Sequence, residues 1–276
     1  MKKLIYFALV SFTLSFVACS GNGNDPVMTP PQGAIAGIFS VGPDTKVYFS
    51  NGNLQAKINA YPNEPNWYFA DHQWDVIGSA LSVRTEYFTW NAIKEAYPNT
   101  FVDWKNSSIE NGNKGKTTWR VLTADEWYYL FCKRKDANSL FTTGKVNGVN
   151  GVILLPDNWS NEKFDNAKKG LIYNPDADKY SNDDKDNFSF ITRDGDAWTA
   201  MEQAGAVFLP AAGSVWEGSP GFVNEECGYW SVTPVTETWA SEAFAYIFKG
   251  SDDEILPQLA SLKSIGSSLR LVVDAK

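Results

Sequence analysis

Thr123-Ala124-Asp125-Glu126 is the clearest helix start in this chain, and the segments around it read as strand, so the sequence predicts an α+β fold. The Thr123 hydroxyl can accept from the Glu126 amide while the Glu126 carboxylate reaches back, the reciprocal pattern of a capping box. Trp127, Leu130 and Phe131 follow at i, i+3, i+4 spacing, which gives the helix one apolar face to about Lys135. A second short helix is expected over 196–204, and 82–96 has helix-compatible spacing through Tyr87, Trp90, Ile93 and Lys94. Elsewhere the pattern is strand and turn. Residues 37–60 alternate apolar and polar positions around Gly42-Pro43-Asp44 and Asn51-Gly52-Asn53, and 67–77 continues in that style. The Val-Ile-Leu-Leu run at 152–155 reads as a buried strand ended by Pro156 and Asp157, and 206–213 as another. Further strands are expected at 228–233, 243–248, near 255 and at 268–273, whereas 160–195 is a polar excursion too poor in apolar residues to hold a core. Strands that are not regularly interleaved with helices exclude a doubly wound sheet.

The chain opens with Met1-Lys2-Lys3 and a 15-residue apolar run at 4–18 that ends on small Ala18 before Cys19. That run is short of the ~20 residues a spanning helix needs and has the make-up of a secretory signal, residues 1–18. The box Phe16-Val17-Ala18-Cys19 resembles that of bacterial lipoproteins, and the resemblance implies an acylated Cys19 that anchors the protein to a membrane of the cell envelope. Residues 19–35 are polar and rich in Gly, Asn and Pro, with the composition of a flexible tether. Residues 36–276 show no second linker and are expected to form one domain.

Without Lys2 and Lys3 the 24 basic residues fall to 22 against 32 acidic ones, and the net charge moves from −8 to −10. An acidic surface without a Lys/Arg stripe argues against nucleic acid as a partner. A single histidine, His72, excludes a His-based zinc site and a Ser-His-Asp triad. Beyond Cys19 the cysteines are Cys132 and Cys227, and the sequence leaves open whether they form a disulfide or stay free thiols.

The segment WRVLTADEWYYLF at 119–131 resembles one that marks the formylglycine-generating-enzyme type of C-type-lectin fold, and CGYWSVTP at 227–234 and GSSLRLVV at 266–273 look like its closing strands. GVILLPDNW, AGAVFLPAAG, GYWSVTP and SLRLV in this order also resemble the major-paralogous-domain lipoproteins of gut bacteria and the variable proteins diversified by retroelements. The similarity spans about 36–274. It implies paired N- and C-terminal strands, a floor of helices, and a small upper antiparallel sheet whose long loops carry ligands.

The namesake enzyme uses a close cysteine pair near its C-terminal end; no cysteine follows Cys227, so the resemblance does not carry that activity over. Glu64-Pro65-Asn66 matches a tripeptide by which many animal C-type lectins bind calcium and mannose, but it lies near the start of the domain and reads as part of a turn. Asp176, Asp178, Asp183, Asp184 and Asp186, like Asp252, Asp253 and Glu254, lack the ligand spacing of an EF-hand loop and read as solvated loops, so calcium is the one cofactor left open and none is expected. No serine-nucleophile motif occurs.

That leaves binding. Thr233, Thr236, Glu237, Trp239, Tyr246 and Phe248 combine aromatic platforms with short hydroxyls, the make-up of a recognition surface. Trp239 lies in a polar run and is expected to be exposed; Trp230 is expected to be buried. The predicted protein is a lipid-anchored display module for a protein or carbohydrate ligand, without catalysis, in the outer membrane on the cell surface or its periplasmic face. The alternatives are an accessory or tip subunit of a surface assembly such as a fimbria, and a glycan-active envelope enzyme.

Overall fold

The N-terminal hairpin closes against the last strand of the chain. In the computed structural model, which describes residues 29–57, 67–78, 84–90, 109–112, 119–160, 172–181, 191–237 and 243–276, the strands in chain order are β1 (Phe39–Ser40), β2 (Lys46–Phe49), β3 (Leu54–Lys57), β4 (Trp67–Phe69), β5 (Arg84–Thr85), β6 (Phe141–Val146), β7 (Val149–Leu154), β8 (Ile172–Asn174), β9 (Lys179–Ser181), β10 (Thr192–Arg193), β11 (Val207–Pro210), β12 (Ser214–Trp216), β13 (Ser219–Gly221), β14 (Cys227–Pro234), β15 (Phe244–Gly250), β16 (Glu254–Leu262) and β17 (Val272–Asp274). Two short α-helices, α1 (Ala124–Tyr128) and α2 (Asp196–Gln203), complete a fold that is mostly β-sheet. β2 lies between β1 and β17, with Val273 opposite Tyr48, so the two ends of the described body are tied together.

The other sheets have the orders β4-β3-β5, β10-β6-β7-β11 and β14-β15-β16-β9-β8, with β12-β13 as a separate two-stranded ribbon. In the five-stranded sheet, Ile247 faces Leu259 while Lys249 faces Leu256, two steps against three. The extra residue falls at Pro257-Gln258, where proline has no N–H to give to a ladder.

α1 begins as the sequence predicts. The Thr123 hydroxyl accepts from Glu126 N at 3.1 Å and the Glu126 carboxylate accepts from Thr123 N at 2.8 Å. Arg120 fixes that carboxylate with two 2.7 Å bonds and also reaches Asp274 on β17, so the WRVLT segment joins the helix start to the C-terminal strand. The helix continues as a π-turn over Tyr129–Lys133 and stops there, slightly short of Lys135. Arg134 turns out of it because its buried guanidinium serves the Leu155 and Leu140 carbonyls and Asp157.

Trp127, Leu130 and Phe131 are buried on the predicted face. Phe248 inserts there, stacked on Phe131 at 4.6 Å and on Trp127 at 5.1 Å. Phe248 is therefore core, correcting its place among the predicted ligand contacts: its ring points to the side of β15 that α1 covers. A second cluster holds Trp230, Ala245, Ile247, Trp119 and Phe69, and a third packs Trp198 and Met201 of α2 on Ile153 and Phe208.

Two further expectations change. Residues 84–85 are strand rather than helix, while 91–96 lie outside the described residues. The polar excursion contributes to the core: β8 and β9 extend the largest sheet, and Tyr180, buried, packs edge-on against Phe141 with its hydroxyl on the Phe131 carbonyl. Tyrosine lets a polar sequence bury a ring while its hydroxyl stays satisfied.

Candidate functional site

Three large apolar side chains stand exposed among the described residues, and all three lie in one short stretch: Trp216 is 59% exposed, Phe222 56% and Val223 37%. The stretch is the β12–β13 ribbon and the turn that follows it. Glu217 and Gly218 both have positive φ (50° and 79°), as a type I′ hairpin turn requires. At the base Gly213, φ 75°, lies where a Cβ would sit 2.2 Å from the Gly221 carbonyl, so glycine is needed for the ribbon to close.

The ribbon is pinned rather than floppy. Val215 and Gly266 exchange both backbone hydrogen bonds at 2.8 Å, Gly213 N donates to Glu226 O, and Asn224 N to Ala211 O. Asn150 donates a second pair to Asn224, from N to Oδ1 at 2.7 Å and from Nδ2 to the backbone O at 2.9 Å. Phe222 carries a left-handed backbone, φ 58°, its carbonyl accepting from Glu225 N and Glu226 N. A bulky residue seldom adopts that conformation, and here it holds the ring out in solvent.

Two clefts flank the turn and share Phe222, Glu226 and Lys249. The one beside Trp216, about 280 Å³, is lined by Ile247, Leu259 and Ile265 and by several serines. The other, about 440 Å³, is lined by Glu225, Glu226, Asp252, Asp253 and Glu254, with Lys249 as its one basic residue. Lys249 bridges Glu226 at 3.1 Å and Glu254 at 3.7 Å, and Glu254 also meets Lys179 at 3.4 Å. Asp253 accepts from the Ser251 hydroxyl at 2.6 Å. Among the described residues no group of three or more His, Cys, Asp or Glu is arranged to hold a metal ion.

The residues singled out from sequence lie elsewhere. Thr236 and Glu237 are exposed beyond the Pro234 end of β14, whereas the ribbon adjoins its Cys227 end, a separation on the order of 25 Å for eight residues at about 3.3 Å each. Thr233 is not a free ligand group: its Oγ1 accepts from Ala124 N at 3.0 Å and so caps α1 a second time. Tyr246 is half-buried on β15. Trp239 lies outside the described residues, as do Cys19, Glu64-Pro65-Asn66, Asp183, Asp184 and Asp186. Trp230 is buried as predicted, its Nε1 donating to the Phe88 carbonyl at 2.6 Å. Sequence reasoning missed Trp216 and Phe222, although Trp216, between Ser214 and Glu217, stands in a polar stretch as Trp239 does.

Cys132 and Cys227 are both free. Burial pushes the Cys132 thiol up to about 12 against a hydrogen bond with Tyr173, and burial raises the Cys227 thiol as well, which donates to the Leu209 carbonyl at 3.2 Å. Asp176 and Asp178 form the β8–β9 turn, where Asp178 accepts from the Tyr173 hydroxyl at 2.8 Å and the Tyr128 hydroxyl at 2.9 Å. His72 is exposed and pairs with Asp75 at 3.2 Å. Among the described residues no helix is long and apolar enough to cross a membrane. No protein-family model matches this chain, and neither a curated protein nor a solved structure matches it.

Proposed function

We propose that this chain is a lipid-anchored protein of the bacterial cell envelope whose folded body, a C-type-lectin-like module, binds a ligand without transforming it. The observation that carries this reading is the pinned ribbon with Trp216, Phe222 and Val223 in solvent beside two clefts. Exposed aromatics on a rigid turn are the usual anchors of a recognition surface. The pairing of β2 with β17 and the capping box at Thr123 agree with the C-type-lectin-like assignment, and the signal-like start with Cys19 supports the anchor. Thiols held protonated by burial favour recognition over cysteine chemistry. Relative to the sequence-based expectation, the binding face moves from the Thr236 region to the ribbon.

The test is a binding screen of the protein against immobilised glycans and envelope proteins, with and without calcium, run beside Trp216→Ala and Trp239→Ala. Loss of a specific interaction in Trp216→Ala alone supports the ribbon. Loss in Trp239→Ala alone returns the site to the loop after β14, and an interaction insensitive to both variants refutes either placement.

A further inference from the structure

We infer that the ribbon and its two clefts take one cationic segment of a partner protein, an apolar side chain lodging beside Trp216 and a nearby lysine or arginine entering the carboxylate cleft. The inference rests on the recognition reading above and names the chemistry of its ligand. Three observations carry it. The clefts are contiguous, since Phe222, Glu226 and Lys249 line both, so one chain segment can fill them together. They differ in character: Ile247, Leu259 and Ile265 line one, and five carboxylates line the other. At about 280 and 440 Å³ they lie below and in the lower part of the range of ligand pockets, with room for a few side chains of one segment.

Charge complementarity selects the cation. Lys249 is the one basic side chain lining the larger cleft and is held by Glu226 and Glu254, and Lys179 reaches Glu254 as well, so two cations face five carboxylates and a negative excess remains. Carboxylates accept and do not donate, and a guanidinium brings five N–H donors in a fork that matches them. The exposed ring of Phe222 stands at the boundary of the two clefts, where a cation can also meet its face. An anionic lipid surface is disfavoured by the same carboxylates and by the chain's net charge of −8.

The test measures affinity of the full chain for three labelled, acetylated hexapeptides, (Leu-Arg)3, (Leu-Gln)3 and (Leu-Glu)3, and for labelled mannan and glucan oligosaccharides. The expected result is that (Leu-Arg)3 binds at least about tenfold tighter than (Leu-Gln)3, that (Leu-Glu)3 does not bind, and that added salt weakens the interaction. Trp216→Ala should weaken (Leu-Arg)3 by about tenfold and Glu225→Gln by about threefold, each with an unchanged melting temperature. Equal affinity for the three peptides, no affinity for (Leu-Arg)3, or insensitivity to both variants overturns the inference. Oligosaccharide binding that Trp216→Ala abolishes, without peptide binding, overturns it while leaving the recognition reading standing.

Discussion

Arg270 Nη2 donates to Gln73 Oε1 at 2.5 Å, and Gln73 Nε2 passes the contact on to Glu202 at 2.8 Å, so a buried guanidinium on the segment before β17 is tied to a carboxylate of α2 through a neutral amide. Arg270 is almost wholly buried, and burial lowers its pKa to about 10, against the attraction of Tyr229 and Glu202. Gln73 is saturated as well, its oxygen accepting from Phe208 N and its nitrogen reaching the Ala206 carbonyl. Asn53 supplies the other acceptor, at 3.4 Å from Nη1. One amide thus joins three parts of the chain that are distant in sequence.

Gln73→Leu should therefore destabilise the protein by about 2–3 kcal/mol, the cost of taking one hydrogen-bond acceptor from a buried guanidinium and from Phe208 N. Arg270→Lys should fare little better, because one ammonium cannot reproduce the two separate guanidinium contacts. Urea unfolding of both variants checks this. A loss under about 1 kcal/mol in Gln73→Leu would mean that the guanidinium finds another acceptor.

The start of α1 has separate donors and acceptors that can be removed one at a time. Thr123→Ala takes away the bond to Glu126 N and should cost about 0.5–2 kcal/mol. Thr233→Val strands Ala124 N at the first turn and should cost about 1–3 kcal/mol without affecting ligand binding. Denaturant midpoints measure the first effect, and the screen described above tests whether Thr233 has any role in recognition.

The capping box was legible because all its partners lie within four residues, and the buried strands β7 and β11 because each contains a dense apolar run next to turn residues. What sequence did not disclose depends on distant partners. Phe248, Tyr246 and Phe244 share an alternation, yet which rings are core is decided by where α1 lies over β15. The β8–β9 strands have three residues each, and their place in the core rests on Tyr180 meeting Phe141 and Phe131 across the fold. Trp216 shows the same limit, since a tryptophan in a polar run is either exposed or folded back, and the Val215–Gly266 contacts at the base of the ribbon settle which.

Asp178 titrates below an ordinary carboxyl because the Tyr128 and Tyr173 hydroxyls donate to its ionised form. A folded-state pKa depressed in this way contributes stability that is present above the unfolded value, near 3.8, and is lost as pH falls through the folded one. Tyr128→Phe and Tyr173→Phe should each raise the Asp178 pKa toward that value and flatten the acid limb of the stability curve. Carbon-detected NMR titration of the carboxyl follows the shift directly. No change in either variant would show that the hydroxyls do not bind Asp178 in solution.

Phe222 poses the sharpest choice between folding and recognition. Its left-handed backbone carries a strain of about 1 kcal/mol or more that glycine would not, while glycine adds about 0.5–1 kcal/mol of unfolded-chain entropy to be lost on folding. Phe222→Gly should accordingly be neutral or stabilising by up to about 1 kcal/mol, and Phe222→Ala, which keeps most of the strain, should stay within about 0.5 kcal/mol of the parent. Both remove the ring from the boundary of the two clefts, so both should weaken ligand binding by a similar factor despite their different stabilities. Melting temperatures and affinities measured on the same two preparations separate the cases. A ring kept for binding gives weaker affinity with unimpaired stability, whereas a Phe222→Gly loss above about 2 kcal/mol would mean that the ring packs on the fold and that the exposed face belongs to Trp216 and Val223 alone.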